Sequence, residues 1–170
     1  MACNLCPRAC KVDRSAGERG ICGETDRVKV ARAALHMWEE PCISGKAGSG
    51  AVFFCGCALY CVFCQNGNIA NGTVGKEITE ERLAEIFLEL QEKRANNINL
   101  VTAGQFAPQV VRALRRAKDG GLDIPVVYNT SSYENVDTIK RFEGLVDIYL
   151  PDLKYVDEKL SAKYSHAPDY

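Results

Sequence analysis

The chain has 170 residues, 46% apolar and 25% charged, with a net charge of −1. That is roughly one domain's worth of ordinary globular composition. It excludes the basic footprint of a nucleic-acid binder and a polybasic membrane patch. No apolar run approaches the ~20 residues of a membrane span, and "MACNLCPRACK" at the N-terminus lacks the apolar core of a signal peptide. The expected address is the cytoplasm.

Residues 1–48 read as a Cys-, Gly- and Arg-rich N-terminal metal-binding segment. Within it, "VKVARAALHMW" (Val28–Trp38) has the character of a strand, and "PCISGKAGSG" (Pro41–Gly50) that of a turn-rich linker. The linker lacks the residue order of a phosphate-binding loop. Residues 49–170 read as a regular core. Ala51–Phe54 predicts a short buried strand that runs into a cysteine loop. Thr79–Arg94 predicts a helix: Leu83, Ile86, Phe87 and Leu90 form one apolar stripe, and Thr79 suits the N-cap. A strand is expected at Ile98–Thr102. A helix follows at Ala107–Gly121, opened by Pro108 and stopped by Gly120–Gly121. A third strand at Ile124–Thr130, a short helix at Tyr133–Phe142, a fourth strand at Val146–Lys154 and a helix beginning at Asp157 complete the chain. The Arg112, Arg115, Arg116 and Lys118 face reads as solvated outer surface.

Alternating strands and helices imply an α/β fold with a parallel sheet, whose chemistry gathers at the carboxyl ends of the strands. The cysteine loop, "TAGQF", "NTSSY" and "PDLK" all fall at such ends. The last strand would leave an open parallel edge, so a truncated core or a partner is expected.

All nine cysteines lie at or before Cys64. Disulfides that staple a fold would be spread along it, so in a reducing compartment this grouping points to metal or redox chemistry. Cys57, Cys61 and Cys64 have the spacing C-x3-C-x2-C. A thioredoxin-type pair needs no third cysteine. A zinc deaminase needs an H-x-E element that His36-Met-Trp-Glu39 does not provide. An iron–sulfur cube on three thiolates leaves one iron open to a small molecule, a design for chemistry rather than electron transfer. A structural zinc closed by Cys55 is the competing reading. Cys42 and Cys55 are otherwise expected as small buried apolar residues, and His36 and Trp38 as packing between the two parts. Cys3, Cys6, Cys10 and Cys22 supply four more sulfurs, enough for a second iron–sulfur cluster or a zinc.

The C-x3-C-x2-C loop after a first strand, with Phe63 just before the last cysteine, resembles the signature of radical S-adenosylmethionine (SAM) enzymes. "HMWEEPCISG", "GAVFFCGCALYCVFCQN", "NINLVT", "VVYNTSSYE" and "VDIYLPDLKY" resemble one branch, the PflX-like relatives of the pyruvate formate-lyase activating enzymes. The resemblance implies a partial (β/α) radical SAM barrel, cut short after about four strand–helix units. It implies a [4Fe–4S] cluster on Cys57, Cys61 and Cys64, with SAM on the open iron. It also implies reductive cleavage to a 5′-deoxyadenosyl radical that abstracts hydrogen from a substrate. Phe63 would lie near the adenine. Asn129, Thr130 and Asp152 would contact SAM or a nearby cation, and Lys154 would neutralise its carboxylate. Many relatives carry a Gly-Gly-Glu-like run where this chain has "TAGQFAP", so Gln105 or main-chain carbonyls would receive the SAM amino group. Ser132 stands where relatives tend to have glycine. The implied partners are an electron donor such as flavodoxin or ferredoxin and a glycyl-radical enzyme. The alternative is a non-catalytic iron–sulfur or zinc module for binding or electron transfer. Separately, Phe63 can be read as core and Asp152–Lys154 as a surface pair.

Overall fold

The computed structural model describes residues 2–170. In chain order the main elements are β1 (Lys29–His36), α1 (Pro41–Ser44), β2 (Ser49–Phe54), α2 (Gly67–Ala70), β3 (Lys76–Glu77) and α3 (Glu80–Glu92). There follow β4 (Ile98–Val101), α4 (Ala107–Asp119), β5 (Val126–Thr130), α5 (Val136–Lys140), β6 (Ile148–Pro151) and α6 (Glu158–Ser165). The expected strand–helix alternation is present. The predicted linker instead holds α1 and the first residues of β2.

One six-stranded sheet has the order β3-β1-β2-β4-β5-β6. β2, β4, β5 and β6 are parallel, whereas β1 pairs antiparallel with β2 and with β3. The sheet therefore crosses residue 48, because β1, from the Cys-rich segment, hydrogen-bonds directly to the first core strand. This mixed α/β sheet is consistent with a partial radical SAM fold.

Strand alternation divides the sheet into two unlike faces. Val52, Leu100 and Tyr128 lie in register and are fully buried. They pack against Leu83, Phe87 and Leu90 of α3 and Val110 and Leu114 of α4 in the main core. The α3 helix begins where the Thr79 hydroxyl accepts from the Arg82 amide at 3.1 Å, satisfying one orphan donor of the first turn. Phe53, Val101 and Asn129, one residue on in each strand, face the other way and line a cavity. On that face the strand ends border a cavity rather than the helix-side core.

Candidate metal and cofactor site

The cysteine loop leaves the carboxyl end of β2 through Gly56, whose φ is +79°. A Cβ there would lie 2.6 Å from the Cys22 carbonyl oxygen and 2.5 Å from Glu24 Cγ, so only glycine lets the loop approach the N-terminal segment. Tyr60, between Cys57 and Cys61, also has a left-handed backbone, with φ +52°. The loop is held by its own ties. The Cys64 amide donates to the Cys61 carbonyl at 3.0 Å and the Val62 amide to the Tyr164 carbonyl at 2.9 Å. Leu59 anchors it in a small apolar cluster with Tyr133, Tyr155 and Ala167.

Cys57, Cys61 and Cys64 all line one cavity of about 580 Å³ at this end of the sheet. Burial pushes the Cys57 thiol up, and the neighbouring Cys61 and Cys64 sulfurs add to the shift. A metal would reverse this, because binding requires the thiolate and drives the proton off. Among the described residues no three His, Cys, Asp or Glu groups converge on single-ion geometry. An iron–sulfur cube does not ask that of its ligands, since each thiolate binds a different iron. Three free thiols on one wall of a cavity fit that group. Cys55 is fully buried, its sulfhydryl donating to the Val74 carbonyl at 3.2 Å, which leaves it no part in the triad.

Several other expected residues line the same cavity: Phe63, Asn129, Thr130, Asp152 and Lys154. Phe63 is 56% exposed and meets Tyr155 edge-on, with ring centroids 6.1 Å apart. Lys154 Nζ lies 2.6 Å from Asp152 Oδ2, so the anticipated pair forms at the cavity rim. Burial works against the Lys154 charge, but the Asp152 hydrogen bond and charge outweigh it and the pKa is raised. The Tyr170 hydroxyl accepts from the Lys154 amide at 2.8 Å and sits 2.9 Å from the Ser131 and Asp152 carbonyl oxygens, tying the two strand ends together.

Gln105 departs from expectation. It is buried outside the cavity lining, and its amide nitrogen donates to the carbonyls of Cys55 (2.8 Å), Gly56 (3.0 Å) and Thr102 (2.8 Å). With its donors spent on the chain, it braces the base of the cysteine loop. Trp38, expected in packing, is 89% exposed at the cavity edge, because β1 ends at His36 and the chain turns outward before α1. His36 does pack, edge-on to Phe53 at 6.0 Å. Cys42 is exposed on the short α1 rather than buried.

Cys3, Cys6, Cys10 and Cys22 gather away from this cavity. A Cβ on Gly20 would lie 3.3 Å from Cys22 Sγ and 3.4 Å from Cys10 Sγ. Burial pushes the Cys6 thiol up to about 11; the Arg8 backbone pulls against it, and Cys22, Cys3 and Cys10 add to it.

Sequence reasoning passed over Glu134. Its carboxylate accepts from the Thr130 hydroxyl at 2.5 Å and the Tyr128 hydroxyl at 3.2 Å, directly beneath the cavity wall. Burial raises its pKa despite those two hydrogen bonds. A lone acid at the mouth of a predicted helix looks like ordinary first-turn chemistry, so no local signal marks it. Arg32 and His36, brought there by the antiparallel pairing of β1, also line the cavity, as does Glu39 beyond the end of that strand.

Residues 51–169 match the family model described as the Radical SAM superfamily. That is most of the chain, and the protein belongs to the radical SAM superfamily. Among curated proteins, the chain is 31% identical to the uncharacterized protein MJ0674 of Methanocaldococcus jannaschii, over 99% of this chain and 50% of that one. It is 28% identical to a pyruvate formate-lyase-activating enzyme of Clostridium pasteurianum, over 68% of this chain and 50% of that one. The chain thus spans about half the length of the curated relatives it matches. No solved structure matches.

Proposed function

We propose that this chain is the cluster- and SAM-binding part of an enzyme that reductively cleaves SAM and abstracts hydrogen from a substrate. The observation that carries the reading is the single cavity shared by the three thiols and the polar ends of β5 and β6. Cys57, Cys61 and Cys64 would hold a [4Fe–4S] cluster. When bound, that cluster supplies the electron that splits the sulfonium and releases a 5′-deoxyadenosyl radical.

The chain's own residues bind and orient. Phe63 offers an aromatic face to the adenine. Asn129 and Thr130 present hydrogen-bonding groups from the end of β5. Asp152 and Lys154 supply one charge of each sign for a zwitterionic amino-acid moiety. Gln105 acts from below, fixing the loop base, so the SAM amino group is left to cavity carbonyls.

Cys3, Cys6, Cys10 and Cys22 would supply four thiolates to a second iron–sulfur cluster; they do not converge on single-ion geometry, which disfavours the zinc alternative. The likeness to a pyruvate formate-lyase-activating enzyme supports a glycyl-radical enzyme as the substrate-bearing partner, with flavodoxin or ferredoxin as electron donor. Anaerobic reconstitution tests the core of the reading. The reduced chain with SAM is expected to yield 5′-deoxyadenosine, and Cys61→Ala to yield none. A loaded cluster whose electron-paramagnetic-resonance (EPR) spectrum ignores SAM would favour the electron-transfer module instead.

A further inference from the structure

The backbone between Cys57 and Cys61 must turn the flanking thiols toward the cavity, which leaves the carbonyls of Ala58 and Leu59 outside any helix or strand ladder. Such groups need donors. One side chain supplies both: Arg8 Nε donates to the Ala58 carbonyl at 2.8 Å, and Nη2 reaches the Leu59 carbonyl at 3.5 Å. The other edge of the same guanidinium donates to the Ser165 carbonyl at 2.7 Å and to the His166 carbonyl, at the end of α6. Its carbon sits 5.3 Å over the Tyr133 ring. A planar five-donor fork can span four carbonyls and stack at once, which an ammonium cannot.

Arg8 lies between Cys6 and Cys10, so its position is set by the thiol quartet's own loop. The Ala9 amide donates to the Cys6 carbonyl at 3.1 Å, and the Lys11 amide to the Cys3 carbonyl at 3.1 Å. The Thr138 hydroxyl holds the Leu5 carbonyl at 2.7 Å. All of this N-terminal loop lies outside the matched residues 51–169. Tyr60, in the strained αL conformation, is enclosed from the same side, since a Cβ on Gly23 would meet its hydroxyl at 2.7 Å. Strain of this kind persists only where surroundings over-determine it.

We propose that Arg8 is a positioning residue for the cysteine triad, locking the backbone between Cys57 and Cys61 and coupling it to the thiol quartet that flanks it. The triad's role as cluster site is taken from the proposed function. The coupling itself is a property of the chain with or without iron.

Hydrogen exchange on the full chain tests it. Arg8→Ala is expected to speed exchange on the order of ten-fold or more in peptides covering 58–64 and 162–167, with α3 and α4 unchanged. Arg8→Lys falls between. In reconstituted protein, Arg8→Ala also releases iron to a chelator faster. Thr138→Val, which removes the hydroxyl that holds the Leu5 carbonyl and so frees the loop that carries Arg8, reproduces the loosening at 58–64 with Arg8 still present. Unchanged exchange at 58–64 in Arg8→Ala, or a uniform rise across α3 and α4, overturns the positioning role. An unaffected 58–64 in Thr138→Val overturns the coupling. A wild-type cluster indifferent to SAM sinks the proposed SAM-cleaving function and leaves the exchange result standing.

Discussion

The two cysteine groups share a residue type and little else. Cys57, Cys61 and Cys64 open onto a cavity of about 580 Å³ at the ends of parallel strands, facing polar groups across it. The quartet sits away from that cavity, with Cys22 buried and Cys3, Cys6 and Cys10 half-buried. Open thiols beside space for a ligand suit chemistry. Four thiols gathered in one N-terminal segment, enough to close a metal site without a further ligand, suit structure or electron passage. The difference comes from where the fold sets each loop: one is the exit of a core strand, the other a strap laid across the sheet's end.

The largest expected effect tests that division directly. Cys61→Ala should abolish 5′-deoxyadenosine formation and cut bound iron, read by product chromatography and iron assay. Cys22→Ser should lower metal content while leaving SAM-dependent perturbation of the triad's EPR spectrum in place. If Cys22→Ser silences that perturbation as completely as Cys61→Ala, the two groups are one site and the comparison fails.

The helix-side core should be indifferent to either group. Phe87 is fully buried between α3 and the sheet. Phe87→Ala should cost about 3–5 kcal/mol in chemical denaturation through lost burial and a residual cavity. Gly56 is the junction between the two cysteine regions. Gly56→Ala should cost about 1–3 kcal/mol, because an αL alanine is strained and its Cβ meets Cys22 and Glu24. The loss should be accompanied by poorer iron loading, unlike that of Phe87→Ala in its folded fraction. Equal loading in both variants would mean the junction does not govern the loop.

How much of this could be read from sequence depends on whether a signal was local. The Leu83–Leu90 stripe and the Pro108 and Gly120 punctuation are local, and α3 and α4 form where they place them. The triad spacing is local too, and its three thiols share a wall. β1 resembles any amphipathic strand, and nothing within it says that it pairs backwards onto β2 and carries Arg32 and His36 to the cavity. Gln105 was placed by position in a motif, whereas its hydrogen bonds depend on the Cys55 and Gly56 carbonyls some fifty residues away. Arg8 is the extreme case, with partners 50 and 157 residues away.

The smallest effect concerns Glu134, a carboxylate on the border between the core face and the cavity face. Burial raises its pKa in the folded state, and the Thr130 and Tyr128 hydroxyls offset this only in part. The folded chain therefore keeps this proton to higher pH than the unfolded chain does. As pH rises from the ordinary carboxylate range through the raised folded value, the unfolded state loses its proton first, and stability falls. Glu134→Gln keeps hydrogen-bonding capacity without the charge and should remove that slope. Denaturation midpoints across the acid-to-neutral range should show the native chain at its best relative to the glutamine variant at low pH, with the advantage shrinking as pH rises. An advantage that grows with pH would mean the ionised carboxylate is the favoured buried form. Thr130 would then face the cavity backed by a fixed negative charge rather than by a neutral acid.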